Sequence, residues 1–411
     1  MAIISLFSGI FCREDGILKR LHEETGHGLI RDADIIDEAS RLSGLSADKI
    51  GRAFSSRVSV FNRFTHEKER SVAHLKLALA RKLMDDDFIM EGFAAQLIPE
   101  DVNHVLRVCL IADLKTRAAT AVQEESLSES EAVKLIRKMD EERAAWVNTL
   151  FDSKGPWDPS LYDIVIPTDK TREEDIVKLI MENAGKDVLM FTERTRRAVE
   201  NFILSAEVEV ALVAEGHNVG VEATDGRVTL TINKHVLLLN RLEDELKAIA
   251  GRVPGVKEVV TKVGPEFHKA DIYRKYDFEI PSKVLLVDDE REFVQTLSER
   301  LLMRDMGSAV AYDGKSALEL IKEDEPEVMI LDLRMPGIDG IEVLRKVKST
   351  QPDIEVIILT GHGSEDDKEV CMGLGAFAYL QKPVDIDLLS ETIKRANERI
   401  RQKKAGKDPV G

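Results

Sequence analysis

Cysteine is scarce in this chain: there are 3 among 411 residues, Cys12, Cys109 and Cys371, each far from the others. No two share a metal-ligand spacing. A disulfide framework and a zinc cluster are therefore not expected, and a reducing, cytoplasmic compartment is. Positive charge is also in deficit. Lys and Arg number 58 against 75 Asp and Glu, a net charge of −17, and a field of that sign repels the phosphates of nucleic acid and anionic lipid. Long apolar runs are missing too: no window approaches the roughly 18 to 20 residues that a helix needs to cross a bilayer. The stretch from Met1 to Cys12 imitates a short signal core. It lacks a basic flank, and Arg13-Glu14-Asp15 follows without a cleavage pattern, so it reads as a buried first strand. Nucleic acid and a membrane span are thus not among the expected partners.

The hydrophobic content, 43%, can support real cores, and at roughly 150 residues per domain the length suggests about two to four of them. Residues 1–186 alternate short apolar runs (2–7, 88–91, 104–111, 162–167) with charged helical stretches (66–84, 114–125, 128–150, 173–183). Strands separated by helices imply an α/β layer with a mainly parallel sheet. Ser128 and Glu131 open the third helix with a capping-box pattern, and 152–156 form a helix-stopping loop. Residues 190–265 differ in kind. A helical run at 195–204 leads to two alternating stretches joined by Asp225-Gly226, the strongest short hairpin signal. An amphipathic helix with Leu238, Leu242, Leu246 and Ile249 on one face follows, then a last strand at 258–263. This is a small α+β module. Residues 266–282 read as a linker, and 402–411 as a disordered tail.

Residues 283–401 show five strand–helix repeats, with apolar strands at 283–287, 309–311, 328–331, 355–359 and 376–380. Runs buried on both faces call for a doubly wound, flavodoxin-like (βα)5 sheet, whose ligands sit at the carboxyl ends of the strands. Those ends carry Asp288 and Asp289, Asp332, Thr360 and Lys382. Clustered carboxylates repel one another unless a cation joins them, and oxygen donors in that number suit Mg²⁺. One carboxylate can then attack a phosphoryl group while the metal and Lys382 neutralise the growing charge. The stretches Val287-Asp288-Asp289-Glu290, Leu331 through Gly340, Leu359-Thr360-Gly361 and Ala378 through Pro383 together resemble the bacterial response-regulator receiver domain. That resemblance implies Asp332 as phosphoacceptor, with Asp288, Asp289 and Asp332 holding Mg²⁺. It implies Lys382 on the phosphoryl group, Thr360 moving toward it, and Tyr379 as a rotamer switch. It also implies a cis Lys382-Pro383 bond that aims the Lys inward, and a sensor histidine kinase or phosphotransfer protein as partner. Asp305, Asp339 and the run at 365–367 read as solvated faces or caps.

The first block offers a loop after its first strand, Ser8-Gly9-Ile10-Phe11-Cys12-Arg13-Glu14-Asp15-Gly16. It has no Gly-Lys-Ser/Thr, places bulky Ile10 and Phe11 where amides should be open, and sets Glu14 and Asp15 against phosphate at the helix start. Nevertheless, residues 1–186 resemble the cytidylate-kinase-like family of P-loop proteins. The likeness rests on Ala2 through Ser5, Asp34 through Ser40, Gly92 through Pro99, Leu114 through Arg117, Leu127 through Ala132, Met139 through Ala145 and Asp158 through Ile166. It implies lid and substrate arginines at Arg117 and Arg143, with Asp140 beside them, in a nucleotide site. Glu91-Gly92-Phe93 replaces a Gly-Arg-Gly stretch of relatives, and Thr120 replaces a second lid arginine. Asp140 and Arg143 also suit a surface ion pair one turn apart. The expectation is a degenerate kinase domain without catalysis.

The middle module resembles the BON domain through 219–224, 225–230 and 253–260; that family implies a binding or assembly role. His66-Glu67 reads as a structural pair rather than a phosphoacceptor, and His362 borders the acidic pocket without a family role. No helix-turn-helix follows the receiver, so direct transcriptional control is not expected. The reading is a two-component phosphorelay protein whose receiver modulates the kinase-like and BON-like modules toward an unidentified output protein, with homo-oligomerisation left open. The alternative is a nucleoside monophosphate kinase regulated by the receiver.

Overall fold

The apolar runs assemble into two separate parallel sheets in the computed structural model, which describes residues 2–55, 67–85, 87–151, 155–233, 239–265, 267, 283–302, 304, 306–361 and 363–405. Two compact units result: Met1–Val58 with Lys68–Tyr273, and Ser59–Glu67 with Arg274–Gly411.

In the first unit, β1 (Ile3–Ser8), β2 (Gly28–Arg31), β3 (Phe88–Glu91), β4 (Val105–Ile111) and β5 (Ile164–Pro167) form one sheet in the order β2-β3-β1-β4-β5. All four neighbouring pairs are parallel. Every residue of β1 is buried, as expected of a central strand covered on both faces. Strand β2 is not foreshadowed by the sequence pattern. It is a 4-residue edge strand with one buried residue, Ile30, and so it carries no alternation to read. Helices α1 (Glu14–Thr25), α2 (Asp32–Ser43), α3 (Ala47–Gly51), α4 (Glu67–Lys82), α5 (Leu114–Glu125), α6 (Glu129–Phe151) and α7 (Glu173–Ala184) accompany these strands. The capping box is formed: Ser128 N donates to Glu131 Oε2 at 3.0 Å and Glu131 N to Ser128 Oγ at 3.3 Å. Trp146 of α6 is fully buried. Its ring meets Phe54 edge-on at 4.7 Å and its Nε1 donates to the Phe93 carbonyl at 2.9 Å.

Helix α8 (Glu193–Ala214) begins where the second block was expected, but it runs ten residues past the predicted 204. It serves two cores. Ala198, Val199 and Phe202 join the Trp146 cluster, while Val208 and Leu212 join the core of the middle module. Lys76 pairs with Glu209 at 2.8 Å and Arg81 with Glu207 at 3.2 Å. The hairpin is present as read: β6 (Gly220–Thr224) and β7 (Arg227–Ile232) are antiparallel. Their turn places Asp225 at φ 50° and Gly226 at φ 90°, the positive values that this dipeptide tolerates. Helix α9 (Leu239–Ala250) then crosses over to β8 (Glu258–Val263), which lies parallel to β7. Leu238 lies outside the described residues, as does most of the expected linker, but Phe267 at its start is buried in the module's core.

The second unit has β9 (Val284–Val287), β10 (Ser308–Ala311), β11 (Val328–Leu331), β12 (Glu355–Thr360) and β13 (Ala378–Gln381), ordered β10-β9-β11-β12-β13 and parallel throughout. Helices α10 (Arg291–Leu302), α11 (Gly314–Glu323), α12 (Gly340–Thr350), α13 (Glu365–Gly373) and α14 (Ile386–Ala405) cover both faces. Leu285 and Val287 enter one core, Val284 and Leu286 the other, so the doubly wound expectation holds. Asp339 caps α12 through Glu342 N, and Asp367 completes a capping box with Ser364; Asp305 lies outside the described residues. One boundary is corrected. The last helix runs to Ala405, four residues beyond the predicted 401, because Glu355, buried in the sheet, draws Lys403 to 2.6 Å and Arg399 to 3.5 Å. Among the described residues, no helix is long and apolar enough to cross a membrane.

Replacing Trp146 with Ala removes a buried ring and its hydrogen bond, and should lower stability by about 3–5 kcal/mol. Denaturant titration followed through the remaining tryptophan, Trp157, checks this in the same unit.

Candidate functional site

Parallel pairing brings the strand ends of the second unit to one edge. Asp288 follows β9, Asp332 follows β11, Thr360 ends β12, and Lys382 follows β13. Backbone bonds set their registers: Asp332 N donates to the Val287 carbonyl at 2.9 Å, and Lys382 N to the Thr360 carbonyl at 2.9 Å. The peptide bond Lys382-Pro383 is cis. Asp288, Asp289 and Asp332 each offer a carboxylate oxygen, and these oxygens lie within 4.8 Å of one another. Asp288 and Asp332 are buried. Gly340 belongs to this arrangement, since a Cβ there would fall 2.2 Å from the Asp332 carbonyl.

Lys382 is the cation of the cluster. Its Nζ lies 2.6 Å from Asp288 Oδ2, 2.9 Å from Glu290 Oε1 and 4.0 Å from Asp332 Oδ1. Burial opposes its charge, yet the hydrogen bonds to Asp288 and Glu290, with the charges of Asp288 and Asp332, hold the ammonium above its usual range. Burial pushes the Asp288 carboxyl up against the pull of Lys382 and the Glu290 amide. Asp332 Oδ1 is buried without a hydrogen-bond partner, a costly arrangement for an acceptor unless something binds there. An orphaned oxygen beside two further carboxylates is a donor set of the hard kind that Mg²⁺ takes. The residues present fit that ion. Thr360 is fully buried. Tyr379 places its hydroxyl in a buried spot without a hydrogen-bond partner, where a Cβ on Gly363 would collide with it. Glu290 is the member that sequence reasoning passed over; its place beside the acidic pair was the available signal. His66 and His362 lie outside the described residues.

The equivalent edge of the first unit is filled from within. Arg117 is buried and makes a bidentate pair with Asp140 at 2.8 and 2.9 Å, while its Nε donates to the Ile10 carbonyl at 2.8 Å. Arg143, also buried, donates to the Ser8 carbonyl at 2.6 Å and lies 5.2 Å from the Phe93 ring centroid. The surface pairing of Asp140 with Arg143 is therefore corrected: burial and the carbonyl of Ser8 claim Arg143, and Asp140 turns to Arg117. The guanidinium of Arg117 rests on Gly9, where a Cβ would stand 2.9 Å from Cζ. The Glu14 carboxylate takes the Phe11 and Cys12 amides at 3.1 and 2.7 Å, so an internal anion occupies the donors that a phosphate would use. Burial raises the Glu14 carboxyl, and it pushes the Cys12 thiol up to about 12 despite the nearby Arg117. Thr120 bonds back to the Thr116 carbonyl at 3.1 Å along its own helix.

Five parallel strands in this order, with an acidic rim and a facing Lys, define a receiver. Residues 284–394 match the family described as "Response regulator receiver domain", and through them the chain belongs to that family. It is 34% identical over 113 residues to sporulation initiation phosphotransferase F of Bacillus subtilis, covering 28% of this chain and 91% of that protein. It is 36% identical over 110 residues to response regulator MprA of Mycolicibacterium vanbaalenii, covering 27% of this chain and 48% of that one. The chain thus spans about half the length of the MprA proteins it matches. A solved receiver-domain protein from Clostridium thermocellum is 35% identical, covering 29% of this chain and 98% of that one, with a TM-score of 0.29. Residues 4–170 match the "Cytidylate kinase-like family".

Asp332→Asn removes one of the three carboxylates that would hold the ion. Millimolar Mg²⁺ should raise the melting temperature of the parent chain and leave the variant's nearly unmoved. Calorimetry with and without the ion checks both outcomes.

Proposed function

We propose that the chain is a two-component phosphorelay protein in the cytoplasm whose receiver takes a phosphoryl group on Asp332 from a sensor histidine kinase or phosphotransfer protein. The observation that carries this reading is the unpartnered, buried Asp332 Oδ1 at 4.0 Å from Lys382 Nζ. In the reaction a carboxylate oxygen of Asp332 attacks the phosphorus of phosphohistidine; the new O–P bond forms as the P–N bond breaks, and the released imidazole takes up a proton. Asp288, Asp289 and Asp332 would hold Mg²⁺, which supplies charge neutralisation at the phosphoryl oxygens. Lys382, 4.0 Å from Asp332 Oδ1, is the cation that would reach those oxygens. Thr360 closes toward the new group, and Tyr379 passes the change to the surface.

The kinase-like module (1–186) and the BON-like module (190–265) are the receiver's cargo in this reading, and their state selects an output protein. Occupation of the loop by Glu14 and Arg117 favours a module that no longer transfers phosphate. A receiver-regulated nucleoside monophosphate kinase is the competing reading, favoured only by the family match of residues 4–170.

Incubation with a radiolabelled acyl phosphate and Mg²⁺ should give a hydroxylamine-labile label that Asp332→Asn abolishes; label persisting in the variant refutes the assignment. Mixing the purified chain with ATP and CMP should yield no CDP. Turnover that Arg143→Ala abolishes would instead establish the kinase.

A further inference from the structure

The ammonium of Lys382 has three N–H donors, and it spends two of them on Asp288 at 2.6 Å and Glu290 at 2.9 Å. Asp332 Oδ1, at 4.0 Å, is beyond hydrogen-bond reach. The two partners differ in kind. Asp288 is a buried carboxylate whose side chain is 7% exposed, whereas the Glu290 side chain is 65% exposed. A bond to an exposed carboxylate is weak and readily exchanged for water, so Glu290 is the partner that Lys382 can release. The Phe293 ring, 4.4 Å from Nζ, supports the ammonium in this position through the negative face of the ring.

We propose that Glu290 is a positioning residue that holds Lys382 toward the first loop, away from Asp332, until a phosphoryl group competes for it. The inference rests on Asp332 being the phosphoacceptor. A dianionic group on Asp332 offers more charge and more acceptors than one solvated carboxylate, so it draws the ammonium across. In the resting pocket the bond to Glu290 must break before the ammonium can meet the incoming phosphoryl group.

Two substitutions separate this tie from a simple field effect. Glu290→Gln removes the charge and weakens the tie, while Glu290→Asp keeps the charge on an arm one methylene too short to reach Lys382. Phosphorylation by acyl phosphate at saturating Mg²⁺ should be faster in both variants by about two- to fivefold, the worth of one exposed pair, in the maximal rate rather than in half-saturation. In metal-free protein with ¹³C-labelled lysine, the ε-methylene resonance of Lys382 should move in both variants. Acceleration and a shifted signal in Glu290→Gln alone would mean that only the field matters and would overturn the tie. Rates and signals unchanged in both, or slower rates in both, would overturn it equally. Asp332→Asn run in parallel isolates the underlying reading: if the parent chain takes no label, that reading fails, and the metal-free resonance still decides whether Glu290 holds Lys382.

Discussion

Parallel strand pairing is the constraint from which the rest of this molecule follows. When all strands of a sheet run one way, their carboxyl ends collect at one edge, and residues distant in sequence become neighbours there. In the second unit this sets Asp288, Asp332, Thr360 and Lys382 on one rim. In the first unit it places the turn after β1 beside the end of β4, with Gly9 N bonded to the Leu110 carbonyl at 3.2 Å. Neither site could be assembled from residues close in the chain. Each is a by-product of topology that side-chain chemistry then exploits.

The two edges handle charge in opposite ways. On the receiver's rim carboxylates crowd together and leave an acceptor unmet, a configuration that binding a cation relieves. On the other edge the groups described above are answered internally: Arg117 by Asp140 and Ile10, Arg143 by Ser8, the Phe11 and Cys12 amides by Glu14. A pocket with unmet demand invites a ligand; one already satisfied gains little from binding. This contrast, more than the loss of any single motif, separates the chemistry expected of the two units.

Much of the receiver was legible in its sequence because its strands are apolar on both faces and its rim residues fall at strand ends, where the pattern breaks sharply. The hairpin was legible because Asp225 and Gly226 tolerate positive φ. Strand β2 was not, since a single buried residue, Ile30, makes no period. The fate of Arg143 was hidden for a different reason. Spacing along a helix reports which residues share a face, not whether that face meets a carbonyl from a strand over a hundred positions away. Glu14 was seen as an obstacle to phosphate at the helix start. Its actual role, as the occupant of the amides, depends on the left-handed backbone of Phe11 and Arg13, which nothing in their side chains announces.

Helix α8 carries a consequence for how the first unit comes apart. A helix whose early residues sit in one hydrophobic cluster and whose later residues sit in another exposes apolar surface at whichever end it frays. The hairpin module and the parallel sheet are therefore joined into one cooperative block rather than strung as independent beads, with α8 as the shared spine. Amide protons along that helix would exchange with solvent at a common, slow rate set by opening of the whole block. A cut placed between the two segments at residues 187–189, where the chemistry of the sequence changes, would strip the first core of part of its wall.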